Sequence, residues 1–207
     1  MLWIKHRVNR ISDLMQVLPT HGVEIDLRSD LSQPGQLHLS HDPWSRGDSF
    51  EQWLVKFKEL GISGPIILNT KEDGLDEQVM KLLAVHSITN WFFLDTALPT
   101  LIKHTRTLQR KQFAVRISAY EPVEGLKPFV GFAQWVWVDC FKGMPMDAAI
   151  VESLKRNFNI CLVSPELQGV DLDSQLLNFS DLFKIADAVC TKMPEKWEAF
   201  TSKSKSI

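Results

Sequence analysis

The hexapeptide Val23-Glu24-Ile25-Asp26-Leu27-Arg28 alternates apolar and charged residues with a period of two. This period is typical of a β-strand that packs one of its faces against apolar neighbours. The opposite face carries two acids and a base. Two carboxylates that lie two residues apart project from the same face and can share a divalent cation. The stretch therefore predicts a strand that helps to build a sheet and also carries polar chemistry.

Seven further apolar runs of strand length accompany this hexapeptide, and helix-like periodic segments separate them. The predicted strands are 2–6, 23–28, 66–70, 91–95, 113–118, 135–139, 159–163 and 186–190, with a further extended piece at 36–41. The predicted helices are 12–18, 50–60, 75–86, 98–108, 146–158 and 176–183. Eight strands that alternate with helices favour an α/β fold, a TIM-type (β/α)8 barrel. A doubly wound open sheet is the alternative, but the chain lacks the glycine-rich phosphate loops that are common in such sheets.

Composition favours one domain, which we place at residues 1–200, followed by a tail at 201–207 that we expect to be disordered. The chain has 207 residues, of which 44% are hydrophobic, and a formal net charge of −2. This balance gives no basic excess for nucleic acid, and no apolar run approaches the ~20 residues of a membrane span. Three widely spaced cysteines in apolar runs are typical of buried, reduced thiols. We therefore expect a cytoplasmic protein; the sequence leaves its oligomeric state open.

Strand parity predicts where the polar side chains point. In a barrel whose outer strand faces pack against helices, the polar faces point inward. Their charges then gather near the carboxyl ends of the strands, where barrel enzymes hold their active sites. The predicted inward sets are Ile4 and His6; Glu24, Asp26 and Arg28; Ile67, Asn69 and Lys71; Phe93 and Asp95; Ala114, Arg116 and Ser118; and Trp135, Trp137 and Asp139.

The histidines divide into two groups. His6 ends the first predicted strand and His41 follows the extended piece, so both fall near the acids of the second strand. Either can be a proton-transfer group or an ordinary hydrogen-bonded histidine. The other four are expected to be surface or capping residues: His21, His38, His86 and His104.

Taken in order, these motifs resemble the superfamily of glycerophosphodiester phosphodiesterases and phosphatidylinositol-phospholipase-C-like enzymes. The chain supplies His6-Arg7, Glu24-Ile25-Asp26, His41-Asp42 and Asn69-Thr70-Lys71, and 187–194 resembles the closing strand and turn of that family. The resemblance runs over nearly the whole chain and implies a barrel.

The resemblance implies a metal-dependent phosphoric diester hydrolase with a small-molecule phosphodiester, or a phosphorylated sugar or polyol, as its substrate. His6 and His41 would then be the general acid and base. Glu24 and Asp26 would bind Mg²⁺ or Ca²⁺, and Arg7 and Lys71 would neutralise the phosphate. This chemistry is coherent, because a phosphodiester repels a nucleophile until its charge is offset.

Two departures from the family pattern bear on the site. Val8 stands where the family usually has glycine, and Asn69 stands where a third acidic ligand is usual. An amide oxygen can coordinate either cation but removes one negative charge. Asp139 is the predicted replacement ligand, with Asp95 as another possibility.

Three residues at later strand ends are predicted to contact the substrate: Asp95, Arg116 and Trp137. We expect Arg116 to bind a second anionic or sugar group and Trp137 to form a pocket wall. Together with the two departures, these residues predict a divergent branch whose substrate differs from glycerophosphodiester itself.

Two other functions remain open at this stage. The same barrel can be a catalytically impaired protein that binds a phosphate ester, as Asn69 suggests. It can also be a barrel lyase in which Lys71 forms a Schiff base with a carbonyl substrate.

Overall fold

The structure, a computed structural model, describes residues 1–30, 32–33, 35–141, 146–183 and 185–204. The strands are β1 (Leu2–Lys5), β2 (Gly22–Ser29), β3 (Leu37–Leu39), β4 (Ile66–Thr70), β5 (Trp91–Leu94), β6 (Ala114–Ile117), β7 (Trp135–Val138), β8 (Asn159–Val163) and β9 (Ala188–Thr191). The helices are α1 (Ile11–Leu14), α2 (Phe50–Glu59), α3 (Asp76–Val85), α4 (Leu98–Ile102), α5 (Ala148–Lys155), α6 (Leu172–Phe183) and α7 (Pro194–Ser204).

Eight of these strands form one parallel sheet in the order β5-β4-β2-β1-β9-β8-β7-β6. A parallel bridge between Phe93 and Phe113 joins the two end strands. The sheet therefore curls into a nearly closed (β/α)8 barrel, which confirms the predicted fold class. Strand β3 lies outside this order and pairs antiparallel with β2, so it is the extended piece predicted at 36–41.

Two apolar layers hold the barrel together. The outer layer lies between strands and helices and buries large side chains such as Trp53, Phe93 and Trp197. The inner layer fills the barrel with residues such as Ile67, Phe92 and Trp137, and it includes two of the three cysteines. All three cysteines are buried thiols, as predicted, and burial raises the pKa of each: Cys140 to about 12, and Cys161 and Cys190 well above the usual range.

The predicted parity of the fourth barrel strand is wrong. Phe92 and Leu94 point into the barrel, whereas Phe93 packs in the outer layer against Phe113, with ring centroids 5.1 Å apart. The run Trp91–Leu94 is apolar on both faces, so parity could be read only from Asp95. Asp95 lies beyond the strand with a φ of 58°, and this turn breaks the alternation.

Helix α7 was not predicted, and it extends to Ser204, so residues 201–204 of the expected tail are helical. Residues 205–207 lie outside the described part of the chain. The signal for α7 is weak because few apolar residues anchor it. Trp197 is one of them, fully buried, and its Nε1 donates to Ser164 Oγ at 2.8 Å.

The remaining helices differ from the predictions mainly in length. Helix α1 is a single turn that begins at Ile11, and the helix predicted at 98–108 divides into α4 and a π-helical turn, Lys103–Thr107. Within the described residues, the helices are all too short or too polar to cross a bilayer.

Candidate active site

The sheet register brings the first three barrel strands together at their carboxyl ends. Asp26 and Asn69 are direct partners across β2 and β4. Lys5 pairs with Val23 across β1 and β2, so His6 and Glu24 follow side by side. The strand pairing therefore brings these four side chains into one cluster.

Glu24 and Asp26 lie at the centre of this cluster, and each is only 1% exposed. Glu24 accepts hydrogen bonds from the Arg7 backbone N–H at 2.9 Å and from Asn69 Nδ2 at 3.2 Å. Burial raises the pKa of Glu24 to about 7, and the nearby charge of Asp26 contributes in the same direction. Desolvation penalises a charged carboxylate in this position, so Glu24 takes up a proton near neutral pH.

Asp26 is surrounded by donors. Lys71 Nζ lies 2.9 Å from Oδ1, while Arg7 Nε lies 3.8 Å from Oδ2. Asn9 donates from Nδ2 to Oδ2 at 2.8 Å and accepts the Asp26 backbone N–H at 2.8 Å. The structure thus brings the predicted phosphate-binding residues Arg7 and Lys71 to the acids, and it adds Asn9, which the sequence analysis did not include as a site residue.

The loop after β1 is held in an unusual conformation. Arg7 has a φ of 55°, which few non-glycine residues adopt. Its neighbour Val8 donates its backbone N–H to the Glu24 carbonyl at 2.9 Å, and the Val8 carbonyl accepts from Trp53 Nε1 at 2.9 Å. These bonds turn the Arg7 N–H toward the Glu24 carboxylate. Val8, for which the sequence resemblance would imply glycine, is buried in the outer layer and fits this loop.

His6 lies at the edge of the acid pair, with Nε2 3.7 Å from Glu24 Oε2. Its Nδ1 is buried, and within the described residues no hydrogen-bond partner reaches it. Burial lowers the pKa of His6 to about 4, with the charge of Arg7 as the next cause. The imidazole is therefore neutral at pH 7 and able to accept a proton.

His41 follows β3 and is held at the same rim. The Ser40 N–H donates to the Asp26 carbonyl at 3.0 Å, and Arg28 Nη2 donates to the His41 carbonyl at 3.0 Å. His41 Nδ1 lies 2.7 Å from Asp42 Oδ1, and this bond lowers the pKa of the Asp42 carboxyl. The His41 side chain is 40% exposed, so it faces solvent.

The other predicted charged residues form a second cluster, at the carboxyl ends of β5, β6 and β7. Arg116 is ion-paired with Asp95, and its Nη1 lies 3.0 Å from Asp139 Oδ2. Gln168 Nε2 donates to Asp139 Oδ1 at 2.8 Å. Burial raises the pKa of Asp139 to about 6, although the charge of Arg116 acts in the opposite direction. Trp137 is only 4% exposed and packs in the barrel interior, and its role as a pocket wall stays a prediction.

The residues around Glu24 fit a hard divalent cation. Glu24, Asp26 and Asn69 offer oxygen ligands, which Mg²⁺ and Ca²⁺ prefer. Asn69 Oδ1 is buried and lacks a hydrogen-bond partner in the described part of the chain, so one ligand atom of this set is free. The Asp139 carboxylate contacts Arg116 and Gln168, and its role as a further ligand stays a prediction.

A convergent acid–histidine group lies elsewhere, on the helical layer. Asp76, Glu77 and His104 bring their ligand atoms within 4.8 Å of one another. However, Arg110 Nη1 lies 2.7 Å from Glu77 Oε1 and 3.1 Å from His104 Nδ1, so a guanidinium already supplies the positive charge. We interpret the group as a structural ion network.

Two of the four histidines expected at the surface are buried instead. His104 is fully buried and paired with Asp76, and His21 is 3% exposed with Nε2 3.0 Å from Glu198. Helical periodicity did not reveal these partners, because one acid lies on α3 and the other on the unpredicted helix α7.

The fold and the polar carboxyl-end rim define this chain as a (β/α)8 barrel of the type that houses active sites at that rim. Comparison with solved structures shows that glycerophosphodiester phosphodiesterases have the same fold. A protein from Galdieria sulphuraria assigned as such an enzyme superposes with a TM-score of 0.76 at 14% identity, over 97% of both chains. An Oleispira antarctica phosphodiesterase, solved with its product sn-glycerol-3-phosphate, gives 0.72 at 15% identity, over 98% of this chain and 97% of that one.

A third structure agrees with these two. A glycerophosphoryl diester phosphodiesterase from Parabacteroides distasonis gives a TM-score of 0.66 at 12% identity, over 98% of this chain and 86% of that one. No family model matches the chain. A search of curated proteins finds no significant match. At these identities the likeness establishes the fold, and the activity has to be argued from the site.

Proposed function

We propose that the protein hydrolyses a small phosphodiester with the help of a divalent cation. The observation that carries this proposal is the buried pair Glu24 and Asp26, which lies beside His6 and the free amide oxygen of Asn69 at the carboxyl-end rim. The fold of the glycerophosphodiester phosphodiesterases supports it.

The oxygen ligands of Glu24, Asp26 and Asn69 would hold Mg²⁺ or Ca²⁺, which would offset negative charge on the phosphate. Arg7 is 42% exposed and can turn its guanidinium to a phosphate above the acids, and Lys71 adds a second positive charge at the same edge. These two positively charged side chains would stabilise the negative charge that develops on the phosphate oxygens during the reaction.

The two histidines have different environments and therefore different proposed roles. His6 is neutral at pH 7 and accepts a proton from the attacking hydroxyl or water. His41, held at Nδ1 by the Asp42 carboxylate, donates a proton from Nε2 to the leaving oxygen. The contact with the Asp42 carboxylate fixes the orientation of the imidazole, which leaves Nε2 for the proton transfer.

The second cluster favours a substrate with hydroxyl groups. Asp95, Asp139 and the nearby Glu121 all act on Arg116, so three acids surround one base. We therefore infer that this region binds hydroxyls of a polyol. Of the two kinds of group expected at Arg116, anionic or sugar, this inference favours the sugar. The sn-glycerol-3-phosphate bound to the Oleispira antarctica enzyme is a phosphorylated polyol of this kind. The cytoplasmic location stays a prediction.

Lys71 is poorly suited to Schiff-base chemistry. Its Nζ lies 2.9 Å from Asp26 Oδ1, and an amine held in this contact with a buried carboxylate is not free to attack a carbonyl. The impaired binding barrel remains a second candidate, because Asn69 removes an acidic ligand. Turnover of a phosphodiester by the wild type distinguishes the enzyme from the binding barrel.

The test is hydrolysis of a panel of glycerophosphodiesters and cyclic phosphodiesters with Mg²⁺, Ca²⁺, Mn²⁺ or EDTA. We expect metal-dependent turnover that falls roughly 100-fold or more in His6→Ala and in Glu24→Gln. Glu59→Gln and His86→Ala change residues of the helical layer and are the matched controls. Absence of turnover by the wild type, together with metal-independent ligand binding, would establish the binding barrel instead.

A further inference from the structure

We propose that a cavity beside His41 binds the leaving group of the substrate, and that this group is an uncharged sugar ring. The proposal rests on the proposed function and adds to it a site for the alcohol that His41 protonates. The cavity is separate from the second charged cluster, because it is built from β2, β3 and the segments after β2, β3 and β4 rather than from β5, β6 and β7.

The cavity begins next to the candidate active site. Its volume of about 450 Å³ lies in the range of pockets that hold small ligands. Arg28, one of its lining residues, lies two residues beyond Asp26 on β2, and Arg28 Nη2 donates to the His41 carbonyl at 3.0 Å. Trp44, another lining residue, follows His41 by three residues. An alcohol that leaves with a proton from His41 is therefore within reach of this cavity.

Trp44 gives the cavity an aromatic wall. It is 89% exposed, whereas the other six tryptophans, all of them within the described residues, are buried or half-buried. Its φ of 65° is rare for a bulky side chain. Ser40 Oγ and Ser45 Oγ hold the turn, because they donate to the Asp42 carbonyl at 2.9 and 2.8 Å. An indole that a strained turn fixes at the surface contributes little to the core, and this points to a ligand.

The charges of the lining favour a neutral ligand. Two arginines and two acids line the cavity: Arg28, Arg46, Asp30 and Glu72. The Glu72 carboxylate is already engaged, because Oε1 lies 3.5 Å from Arg28 Nη1 and Oε2 accepts from Ser29 Oγ at 2.5 Å. A cation can bind over an indole, but here the two arginines offset the two acids. An anionic group would in turn meet the acids, so an uncharged ligand fits best.

Two polar atoms of the lining residues lack hydrogen-bond partners. Arg28 Nε and His38 Nε2 are buried, and no partner reaches either atom from the part of the chain that the structure describes. The guanidinium Nε only donates, and an imidazole nitrogen donates or accepts. A sugar hydroxyl can do both, so it can satisfy either atom, while the apolar face of the ring packs on the Trp44 indole. The aromatic wall, the unpaired polar atoms and the balanced charges together match a sugar ring.

Trp44 can be changed without disturbing the core, because its side chain lies in solvent. Trp44→Asn removes the ring and suits the left-handed backbone, which asparagine adopts more readily than most residues. Trp44→Phe keeps an aromatic face and is the matched control. The binding probe is methyl α-D-glucopyranoside, and choline chloride is the cationic comparison.

NMR titration of the indole N–H signals measures the binding of both probes without turnover. We expect the wild type to bind the glucoside more tightly than choline. The dissociation constant of the glucoside should rise about threefold to tenfold in Trp44→Asn and by less than about twofold in Trp44→Phe. The sugar site is overturned if the wild type binds the glucoside no more tightly than choline, or if Trp44→Asn binds the glucoside as the wild type does.

Kinetics separate this site from the proposed hydrolase. The assay compares a glycerophosphoglucose diester with glycerophosphocholine. The ratio of kcat/KM for the glucosyl diester to that for the choline diester should fall about threefold to tenfold in Trp44→Asn, through KM rather than kcat, and persist in Trp44→Phe. Glucoside binding that depends on Trp44, without turnover of any diester, would uphold the sugar site and overturn the hydrolase. Turnover of both diesters with an unchanged ratio in Trp44→Asn would uphold the hydrolase and overturn the sugar site.

Discussion

The imidazole Nε2 of His6 lies 3.7 Å from Glu24 Oε2, and burial shifts the pKa values of the two groups in opposite directions. The pKa of His6 falls from 6.5 to about 4, and that of Glu24 rises from 4.5 to about 7. At pH values between 4.5 and 6.5, His6 is protonated and Glu24 is ionised in the unfolded chain. In the folded protein His6 is neutral and Glu24 is protonated over the same pH range.

This exchange predicts opposite pH dependences of stability in two variants, measured by denaturant unfolding in EDTA. In His6→Ala the Glu24 carboxyl remains, and its raised pKa makes the free energy of unfolding fall as pH rises from 4.5 to 7. In Glu24→Gln the histidine remains, and its lowered pKa makes the free energy of unfolding fall as pH drops from 6.5 to 4. Each change should be roughly 2 to 3 kcal/mol. Slopes of the same sign in both variants would contradict the shifts.

Asn69→Asp should make stability depend on metal. The amide Nδ2 now donates to Glu24 Oε1 at 3.2 Å, and an aspartate would replace this bond by repulsion between two buried acids. We expect a loss of roughly 1 to 3 kcal/mol in EDTA. Added Mg²⁺ or Ca²⁺ should raise the melting temperature of Asn69→Asp by more than that of the wild type. Equal shifts in both proteins would mean that position 69 is not a ligand position.

Lys71→Met should destabilise the fold, because it leaves Asp26 buried with less positive charge around it. Loss of one partner from a buried ion pair typically costs about 3 to 5 kcal/mol, and here Asn9 and Arg7 reduce the cost to roughly 2 kcal/mol. Lys71→Arg should retain most of the stability. Borohydride treatment of the wild type with carbonyl compounds should trap no adduct, and trapping that Lys71→Arg abolishes would revive the lyase.

Arg116→Met should leave the second cluster with acids alone. Its effect should be larger at pH 8 than at pH 5, because Asp139, whose pKa is about 6, is ionised at the higher pH and then lacks its counter-charge. We expect a loss of roughly 2 kcal/mol at pH 8 in urea unfolding. The double variant Arg116→Met with Asp139→Asn should recover part of it. A loss that is the same at both pH values would show that the ion pair is not its source.

The network on the helical layer should contribute to stability but not to metal dependence. Asp76→Asn weakens the pair with the buried His104, and we expect the free energy of unfolding to fall by roughly 1 to 3 kcal/mol. The metal concentration for half-maximal activity should stay unchanged, whereas Glu24→Gln should raise it at least tenfold. A shift of the metal requirement in Asp76→Asn would place a cation at the network despite Arg110.

Most of the barrel could be predicted from the sequence, because alternation and strand length are local properties. All eight barrel strands were located, and β3 was expected as an extended piece. The failures occur where local pattern is ambiguous. Trp91–Leu94 is apolar on both faces, so its parity was wrong. Helix α7 was missed because the contact that holds it on the barrel is not local. This contact, the hydrogen bond from Trp197 to Ser164, joins residues 33 positions apart.

The sequence by itself determined the strand that carries Glu24 and Asp26 and the direction in which both carboxylates point, because alternation along a strand needs no partner. Only the tertiary structure decided what surrounds them. Asn9, Asn69 and Lys71 reach the acids through loop bonds and sheet register, and these contacts decide which group holds a proton. The same holds for Asp139, whose contact with Arg116 depends on neighbouring strands. The burial of each carboxylate and the charge around it depend on residues from the whole barrel, so the sequence of one strand does not specify them.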